Sequence, residues 1–185
     1  MSGRVVSVNT GRPRPVERLG QLRRTAIRKE PVAGRLAVRG VNVEGDEQAD
    51  RKVHGGPEQA VYAYAREDYE WWERELGQAL APGTFGENLT TDGVDVSDAR
   101  VGERWRIGQL VLEVTRPRLP CWKLGQRMGD QRFVARFGDE GRFGAYLRIV
   151  EEGDVAAGDV IQVDRSAAAN ETMRTVGNAK LRKAG

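Results

Sequence analysis

The only cysteine of the chain, Cys121, lies in the stretch "TRPRLPCWKLG". A single cysteine often serves as a small buried apolar residue. Here Arg116 and Arg118 precede it, and positive charge stabilises the thiolate that acts as a nucleophile or a metal ligand. Pro117 and Pro120 restrict the backbone on its N-terminal side. The pattern predicts a thiolate held in a fixed place, and a structural thiol is the alternative.

A second candidate is the segment "DRKVHGGPEQAVYAY", which contains the only histidine, His54. Gly55 and Gly56 follow it, and a Gly-Gly step allows the backbone to approach a ligand and to present amide donors. Lys52 adds a positive charge suited to phosphate. The spacing is not that of a P-loop, and a plain turn before a strand explains the same residues.

A third candidate is the polar segment "PGTFGENLTTDGVD", in which Glu87 and Asn88 precede two threonines. Its side chains could hydrogen-bond a polar ring system, but taken alone the segment favours a surface loop with two turns. One histidine and one cysteine cannot form a zinc site rich in either residue. A nucleophile–base pair of Cys121 and His54 stays possible, whereas the G-x-S-x-G and G-x-G-x-x-G motifs are absent from the sequence.

The framework for these residues is predicted to consist mainly of short strands. β-branched and aromatic residues bounded by glycine, proline or aspartate indicate strands at 4–9, 26–46 (two or three strands), 59–64, 103–116 (a hairpin), 143–153 and 158–164. Seven or more short strands in one domain are typical of a barrel or a sandwich. We therefore predict a mainly β fold with a few α-helices.

Two segments with a helical pattern interrupt the strands. Residues 66–77 place Tyr69 and Trp72 on one face at helical spacing, and acidic residues occupy the first turn, where the helix dipole favours them. A shorter and less regular stretch lies within 121–137. Cys121 is therefore expected near a helix N-terminus, which also stabilises a thiolate.

Length and charge narrow the class of protein. The 185 residues suit one domain, 1–164, followed by a basic tail, 165–185, that is flexible or a single helix. Residues 1–30 hold eight Lys/Arg against two Glu, whereas the body between the two ends is acidic in balance. Charge placed at the ends argues against nucleic-acid recognition. Neither a signal peptide nor a membrane span is evident, so a cytoplasmic protein without a membrane partner is expected.

A resemblance to the MOSC domain, named for the C-terminal part of molybdenum cofactor sulfurase, is carried by four motifs: "QADRKVHGGPEQAVYAYAREDYEWW", "PGTFGENLTT", "VGERWRIG" and "TRPRLPCWKL". The closer resemblance is to small stand-alone bacterial MOSC proteins, over about residues 4–164. The resemblance implies a MOSC-type β-barrel, with Cys121 as the ligand of molybdenum and the molybdenum cofactor (molybdopterin) in a basic, glycine-lined groove. The residues that match this groove are Lys52, His54, Gly55, Gly56, Asn88, Arg116 and Arg118.

The resemblance also implies an activity. The family's small members are associated with the reduction of N-hydroxylated compounds, of the hydroxylaminopurine or amidoxime type. The sequence has no flavin or iron–sulfur motif, so electrons are expected from a separate electron-donor protein. His54 is the candidate proton donor, because histidine titrates near neutrality. The alternative is a non-catalytic protein that carries molybdenum cofactor, or carries sulfur as a persulfide on Cys121.

Overall fold

The computed structural model describes residues 2–49 and 55–184 of the chain. These residues form thirteen β-strands, four α-helices and a 3-10 turn at Pro57–Gln59. The strands are β1 (Ser2–Thr10), β2 (Arg14–Arg18), β3 (Gln21–Thr25), β4 (Glu30–Pro31), β5 (Leu36–Arg39), β6 (Asn42–Val43), β7 (Val61–Ala65), β8 (Leu89–Asp92), β9 (Arg104–Ile107), β10 (Leu110–Pro117), β11 (Ala145–Glu151), β12 (Gly153–Val155) and β13 (Val160–Asp164). The helices are α1 (Arg66–Leu76), α2 (Trp122–Met128), α3 (Phe133–Glu140) and α4 (Met173–Ala184).

Seven of these strands close into a barrel. Their order is β13–β9–β10–β11–β7–β8–β1, and β1 pairs back onto β13. Among the described strands of the barrel, β7 and β8 run parallel, while the other neighbours are antiparallel. The prediction of a mainly β barrel with a few helices is confirmed.

Successive side chains along a strand point to opposite faces of the barrel wall, and the two faces form two separate cores. On β7, Val61 and Ala63 belong to an aliphatic core inside the barrel, whereas Tyr62 and Tyr64 belong to an aromatic core outside it. This follows from the two-residue period of a strand. The outer core is completed by aromatic side chains from the helices, and the Trp72 indole donates a hydrogen bond to the Tyr64 hydroxyl at 2.9 Å. The cleft described below lies beside this outer layer.

Helix α1 confirms the helix predicted at 66–77. Its predicted inner residues, Tyr69 and Trp72, are fully buried. Gly77 ends the helix in the left-handed conformation (φ 67°), which glycine adopts without a Cβ penalty. Helix α2 lies in the stretch 121–137, where a shorter helical pattern was expected, and α3 begins in it and extends to Glu140. None of the described helices combines the length and the apolar character that crossing a bilayer requires.

The sequence pattern does not reveal the hairpin of β2 and β3, nor β8 and β12. Strand β8 falls in the segment that could also be interpreted as a surface loop. Its Thr90 and Thr91 are fully buried, because β7 and β1 pair with β8 on both sides. Because β8 has only four residues and is buried by two strands that are distant in sequence, it shows no alternation of apolar and polar residues. The local sequence therefore does not indicate a strand here.

The C-terminal residues, expected to be a flexible tail or one helix, include α4, which packs against the rest of the fold. Met173 is buried in the barrel core, and Leu181 packs against the outer aromatic core. Gly177 lies so close to the Phe143 ring that there is no room for a Cβ. The helix is therefore attached through a few inward residues in an otherwise polar segment.

Candidate functional site

A cleft opens on the outer side of the barrel, between β7, β11, the start of α2 and the chain that follows β3. Its empty space, including the part open to solvent, is about 620 Å³. One wall of the cleft includes Tyr62 on β7 and Tyr146 on β11, which lie opposite each other in the strand register. Directly opposite residues share a face of the sheet. The side chains that decide its chemistry are Lys29, Asp46, Asn88, Arg118, Cys121 and Tyr146.

Cys121 lines this cleft from the N-cap of α2, as the sequence predicted. Its backbone is extended (φ −144°, ψ 171°), and its carbonyl oxygen accepts the N–H of Leu124 at 2.9 Å. The residue is half-buried. The thiol is thus held by a fixed backbone and stays within reach of a molecule that enters the cleft.

Arg118 is the buried cation next to this cysteine, and the residue is only 6% exposed. Burial acts to lower the pKa of Arg118, but attraction to the thiolate of Cys121, followed by interaction with neighbouring tyrosine side chains, acts to raise it, and the pKa is raised. The same attraction favours the thiolate of Cys121. Within the described residues, Nη1 of Arg118 has no hydrogen-bond partner. Buried polar atoms normally have one, so this nitrogen of the guanidinium lacks an acceptor among the described residues.

A second buried cation, Lys29, is fully paired. It forms an ion pair with Asp46, and both side chains are more than nine-tenths buried. Burial lowers the pKa of Lys29, although the charge of Asp46 opposes the change. The carboxylate of Asp46 also accepts the N–H of Gly11 at 2.8 Å and the side-chain amide of Asn88 at 2.9 Å. The polar groups in this part of the wall therefore pair with one another and do not need a ligand.

The side chain of Asn88 is engaged by the protein at both ends. Its Oδ1 accepts the N–H of Tyr62 at 3.1 Å, and its Nδ2 donates to Asp46 and to the carbonyl oxygen of Asn9. Asn88 therefore orders the wall of the cleft by tying together the segments at β1, β7 and β8. A direct contact with a cofactor stays a prediction.

Glu87, next to Asn88 in the chain, is fully buried. Its Oε1 accepts hydrogen bonds from the Tyr69 hydroxyl at 2.5 Å, the Gly83 N–H at 2.7 Å and the Thr90 hydroxyl at 2.8 Å. Burial raises the pKa of Glu87, although these hydrogen bonds oppose the change. The segment around it is a buried, internally bonded support, so its interpretation as a surface loop is wrong.

Two tyrosines add neutral hydroxyl groups to the site. Burial raises the pKa of Tyr62 and of Tyr146, while the positive charge of Arg118 opposes both changes. A side-chain hydrogen bond with Arg118 also acts to lower the pKa of Tyr146. Both hydroxyls therefore stay protonated near neutrality and do not cancel the charge of Arg118.

The structure brings together three of the predicted site residues, Cys121, Arg118 and Asn88. Arg116 is half-buried on β10 opposite Tyr146, and it is not among the described residues that line the cleft. Lys52 and His54, the other predicted groups that carry charge or titrate, lie outside the described residues.

The two predicted glycines lie before the 3-10 turn. Gly55 is buried, and Gly56 adopts φ 88°, a conformation that favours glycine. The N–H of Gly56 donates to the side-chain oxygen of Gln48 at 2.8 Å. This amide therefore orders the neighbouring lining segment and is not a spare donor for a ligand.

Sequence reasoning missed Lys29, Asp46, Tyr146 and Lys123, all of which line the cleft. Lys29 and Asp46 are 17 residues apart and meet only through the fold. Tyr146 lies in a predicted strand, and strand alternation could have placed it on the outer face. No local pattern distinguishes Lys123 from a surface lysine.

The described residues can be tested against the metal cofactor that the sequence suggests. In the described part of the chain, no group of three or more His, Cys, Asp or Glu could enclose a metal ion. Cys121 supplies one soft sulfur donor, which suits a metal that brings most of its ligands with it. The unpartnered Nη1 of Arg118, with Lys123 on the same cleft, suits an anionic group such as phosphate. The residues fit a cofactor that combines these two features.

The chain is similar to several curated proteins. Uncharacterized protein YflK of Bacillus subtilis is 38% identical over 154 residues, 83% of this chain and 70% of that protein. Protein YiiM of Escherichia coli is 38% identical over 72% of this chain and 61% of its own length. A protein named "Reductase" from Gibberella moniliformis is 33% identical, and the chain spans 25% of it. The chain thus covers less than two thirds of the second and third relatives.

The fold and the family agree with these similarities. The crystal structure of YiiM from Geobacillus stearothermophilus matches with a TM-score of 0.78 and 25% identity, over 98% of this chain and 85% of that one. The sequence model of the MOSC domain matches residues 50–162, which include the cysteine motif and most of the barrel strands. With this match and the similarity to YflK, the chain is a member of the MOSC domain family.

Proposed function

We propose that this protein binds the molybdenum cofactor and reduces N-hydroxylated compounds of the hydroxylaminopurine or amidoxime type in the cytoplasm. The observation that carries the proposal is the pairing of Cys121 with Arg118 in one cleft, where Nη1 of this buried cation has no acceptor among the described residues. The MOSC family is associated with this cofactor, and one relative is named a reductase.

The residues have distinct roles in this proposal. The thiolate of Cys121 is the metal ligand, and Arg118 binds an anionic part of the cofactor through its unpartnered nitrogen. Asn88 holds the wall in place, while Arg116 adds positive charge nearby. Lys52, His54, Gly55 and Gly56 form the remaining predicted contact segment. The bound cofactor supplies a metal that changes oxidation state and so carries electrons to the substrate.

The reaction balances with an external electron source. The N–O bond of R–NH–OH breaks, two electrons and two protons are taken up, and the products are R–NH₂ and water. The electrons come from a separate electron-donor protein. His54 is the proposed source of a proton, because histidine is the side-chain type best suited to proton transfer near neutrality.

The test is molybdenum content. The chain should be purified from cells that make the cofactor, as wild type, Cys121→Ala and Cys121→Ser, and molybdenum per chain should be measured. We expect metal in the wild type and a loss of roughly tenfold or more in both variants, since each removes the sulfur donor. Thermal unfolding of the three proteins shows whether the variants are folded.

Two results would contradict the proposal. One is molybdenum at background in the wild type, and the other is unchanged molybdenum in folded Cys121→Ala. If the intact wild-type chain instead carries the mass of one additional sulfur atom, lost in Cys121→Ala, and no metal, the protein is a sulfur carrier. Bound metal without reduction of hydroxylaminopurine by a chemical reductant indicates a cofactor carrier.

A further inference from the structure

The hairpin of β2 and β3, with the residues on either side (11–28), is a strongly basic surface segment. It contains six arginines and one glutamate, and all six arginines are exposed. The ion pair between Arg14 and Glu30 is long, at 3.9 Å, and solvent-exposed, so it does little to neutralise the segment. A concentrated positive charge of this kind attracts acidic surfaces.

The hairpin projects from the barrel. Among the described strands, β2 and β3 pair only with each other. Its tip exposes two apolar side chains, with Leu19 92% and Leu22 77% exposed. An isolated two-stranded ribbon is marginally stable in water, and exposed leucines add nothing to its stability. Apolar residues surrounded by arginines have the composition of a small protein interface.

The hairpin also lies at the mouth of the cleft. Its last residue, Thr25, and the following Ile27 line the cleft directly. The guanidinium of Arg18 lies over the Trp122 ring, 4.5 Å from its centre, and Trp122 is next to Cys121 in the chain. The side chain of Gln126 donates to the backbone oxygen of Glu17 at 3.3 Å. A protein bound to the hairpin would therefore lie beside the proposed metal ligand.

We propose that the 11–28 hairpin is the docking surface for a small acidic electron-donor protein. The inference rests on the proposed function, which needs electrons delivered at this cleft. Interfaces for electron transfer are small and transient, and complementary charge mainly accelerates their association. A single-stranded nucleic acid fits the segment less well, because residues 11–28 contain no aromatic side chain on which bases could stack.

The electron balance sets the stoichiometry of the test. A reduced plant-type [2Fe–2S] ferredoxin, which has an acidic surface, gives up one electron at a time. Two reduced ferredoxins are therefore oxidised for each N–O bond that is broken, with two protons taken from water. Reduced methyl viologen is a small donor that delivers the same electrons without docking.

The experiment compares two variants with equal changes in net charge. Arg23→Glu/Arg24→Glu reverses two exposed charges on the hairpin, and Arg74→Glu/Lys180→Glu reverses two exposed charges on α1 and α4. Reduction of hydroxylaminopurine by the cofactor-bound protein is measured with each electron donor. Binding of oxidised ferredoxin is measured separately by calorimetric titration at low and high salt.

We expect the hairpin variant to lose about tenfold or more of the ferredoxin-driven rate and of the ferredoxin affinity at low salt. Its rate with methyl viologen should match the wild type, and the α1/α4 variant should stay within about twofold for both electron donors. The wild-type affinity should fall as salt increases, because exposed charges are screened.

The possible failures are distinguishable. A hairpin variant that matches the α1/α4 variant with ferredoxin, while methyl viologen works, overturns the docking inference. Binding of a single-stranded oligonucleotide by the hairpin, without binding of ferredoxin, also overturns it. If methyl viologen drives no reduction in the wild type, the proposed function fails, and the calorimetric titration still decides whether the surface binds an acidic protein.

Discussion

The two buried cations of the cleft, Lys29 and Arg118, differ in how their charges are balanced. Lys29 is paired with Asp46, whose oxygens also accept bonds from Gly11 and Asn88. Arg118 lies beside Cys121 and neutral tyrosines, with Nη1 unpartnered among the described residues. At Lys29, the protein itself supplies the partner of the buried charge. The second site, at Arg118, resembles a binding site, because a buried N–H of a cation without an acceptor is costly unless a ligand supplies one.

The largest expected effect comes from breaking the completed pair. Asp46→Ala leaves the Lys29 ammonium and the donors of Gly11 and Asn88 without their acceptor. The free energy of unfolding, measured with urea, should fall by about 3–5 kcal/mol. The double variant Lys29→Met/Asp46→Leu removes both charges and should recover much of the loss. A small loss in Asp46→Ala would show that the two cations do not differ as described.

Arg118→Met should have the opposite pattern. In the cofactor-free protein, unfolding stability should be unchanged or higher by about 1 kcal/mol, because a buried and incompletely paired charge is removed. Molybdenum per chain should fall by roughly tenfold or more, because a charge-assisted bond to the cofactor is lost. Arg118→Lys keeps the charge without the forked geometry and should retain an intermediate amount. Destabilisation comparable to that of Asp46→Ala would make Arg118 a structural residue.

The pH dependence of stability sharpens the comparison further. The pKa of Lys29 is lowered by burial from its ordinary value of 10.5, so the unfolded chain holds this proton more tightly than the folded protein. The contribution of Lys29 to stability therefore increases as pH rises from the lowered pKa towards 10.5, and it is lost as pH falls. Urea unfolding of the wild type and of Lys29→Met/Asp46→Leu across this alkaline range should differ in slope, with the steeper rise in the wild type. Parallel curves would contradict the assignment.

The smallest effect is expected at Arg116. This residue lies on β10 and outside the described lining, so Arg116→Ala should reduce molybdenum per chain by less than about threefold, through loss of a screened charge. Comparison with Arg118→Ala measures how much of the effect depends on position rather than on charge. Equal losses in the two variants would mean that the cleft responds to overall positive charge alone.

The same two arginines show how far the sequence could predict the site. Both precede Cys121 in one motif, so sequence reasoning treated them alike. Strand β10 ends at Pro117, and this end separates them: Arg116 stays in register opposite Tyr146, while Arg118 lies beyond the strand and lines the cleft. The motif indicated that an arginine near Cys121 could stabilise its thiolate. Which of the two arginines is buried depends on where β10 ends, and the sequence predicts the end of a strand only approximately.

The fold was predictable to a similar degree. Strands with β-branched alternation and the amphipathic helix α1 follow from local periodicity, and they were predicted. Buried threonines on β8 and the pairing of Lys29 with Asp46 depend on contacts between distant segments, and local patterns do not encode them. The outer aromatic core was predicted only in part, because its members come from four separate segments of the sequence.

The parallel pairing of β7 and β8 has a consequence for the cleft. Parallel neighbours cannot be joined by a tight turn, so the chain must travel outside the barrel between them. That excursion, residues 66–88, carries α1 and then returns with Phe85 and Asn88, both of which line the cleft. Part of the wall is thus supplied by a segment that runs outside the barrel. A substitution at Phe85 can therefore change the shape of the cleft without changing any residue of a barrel strand.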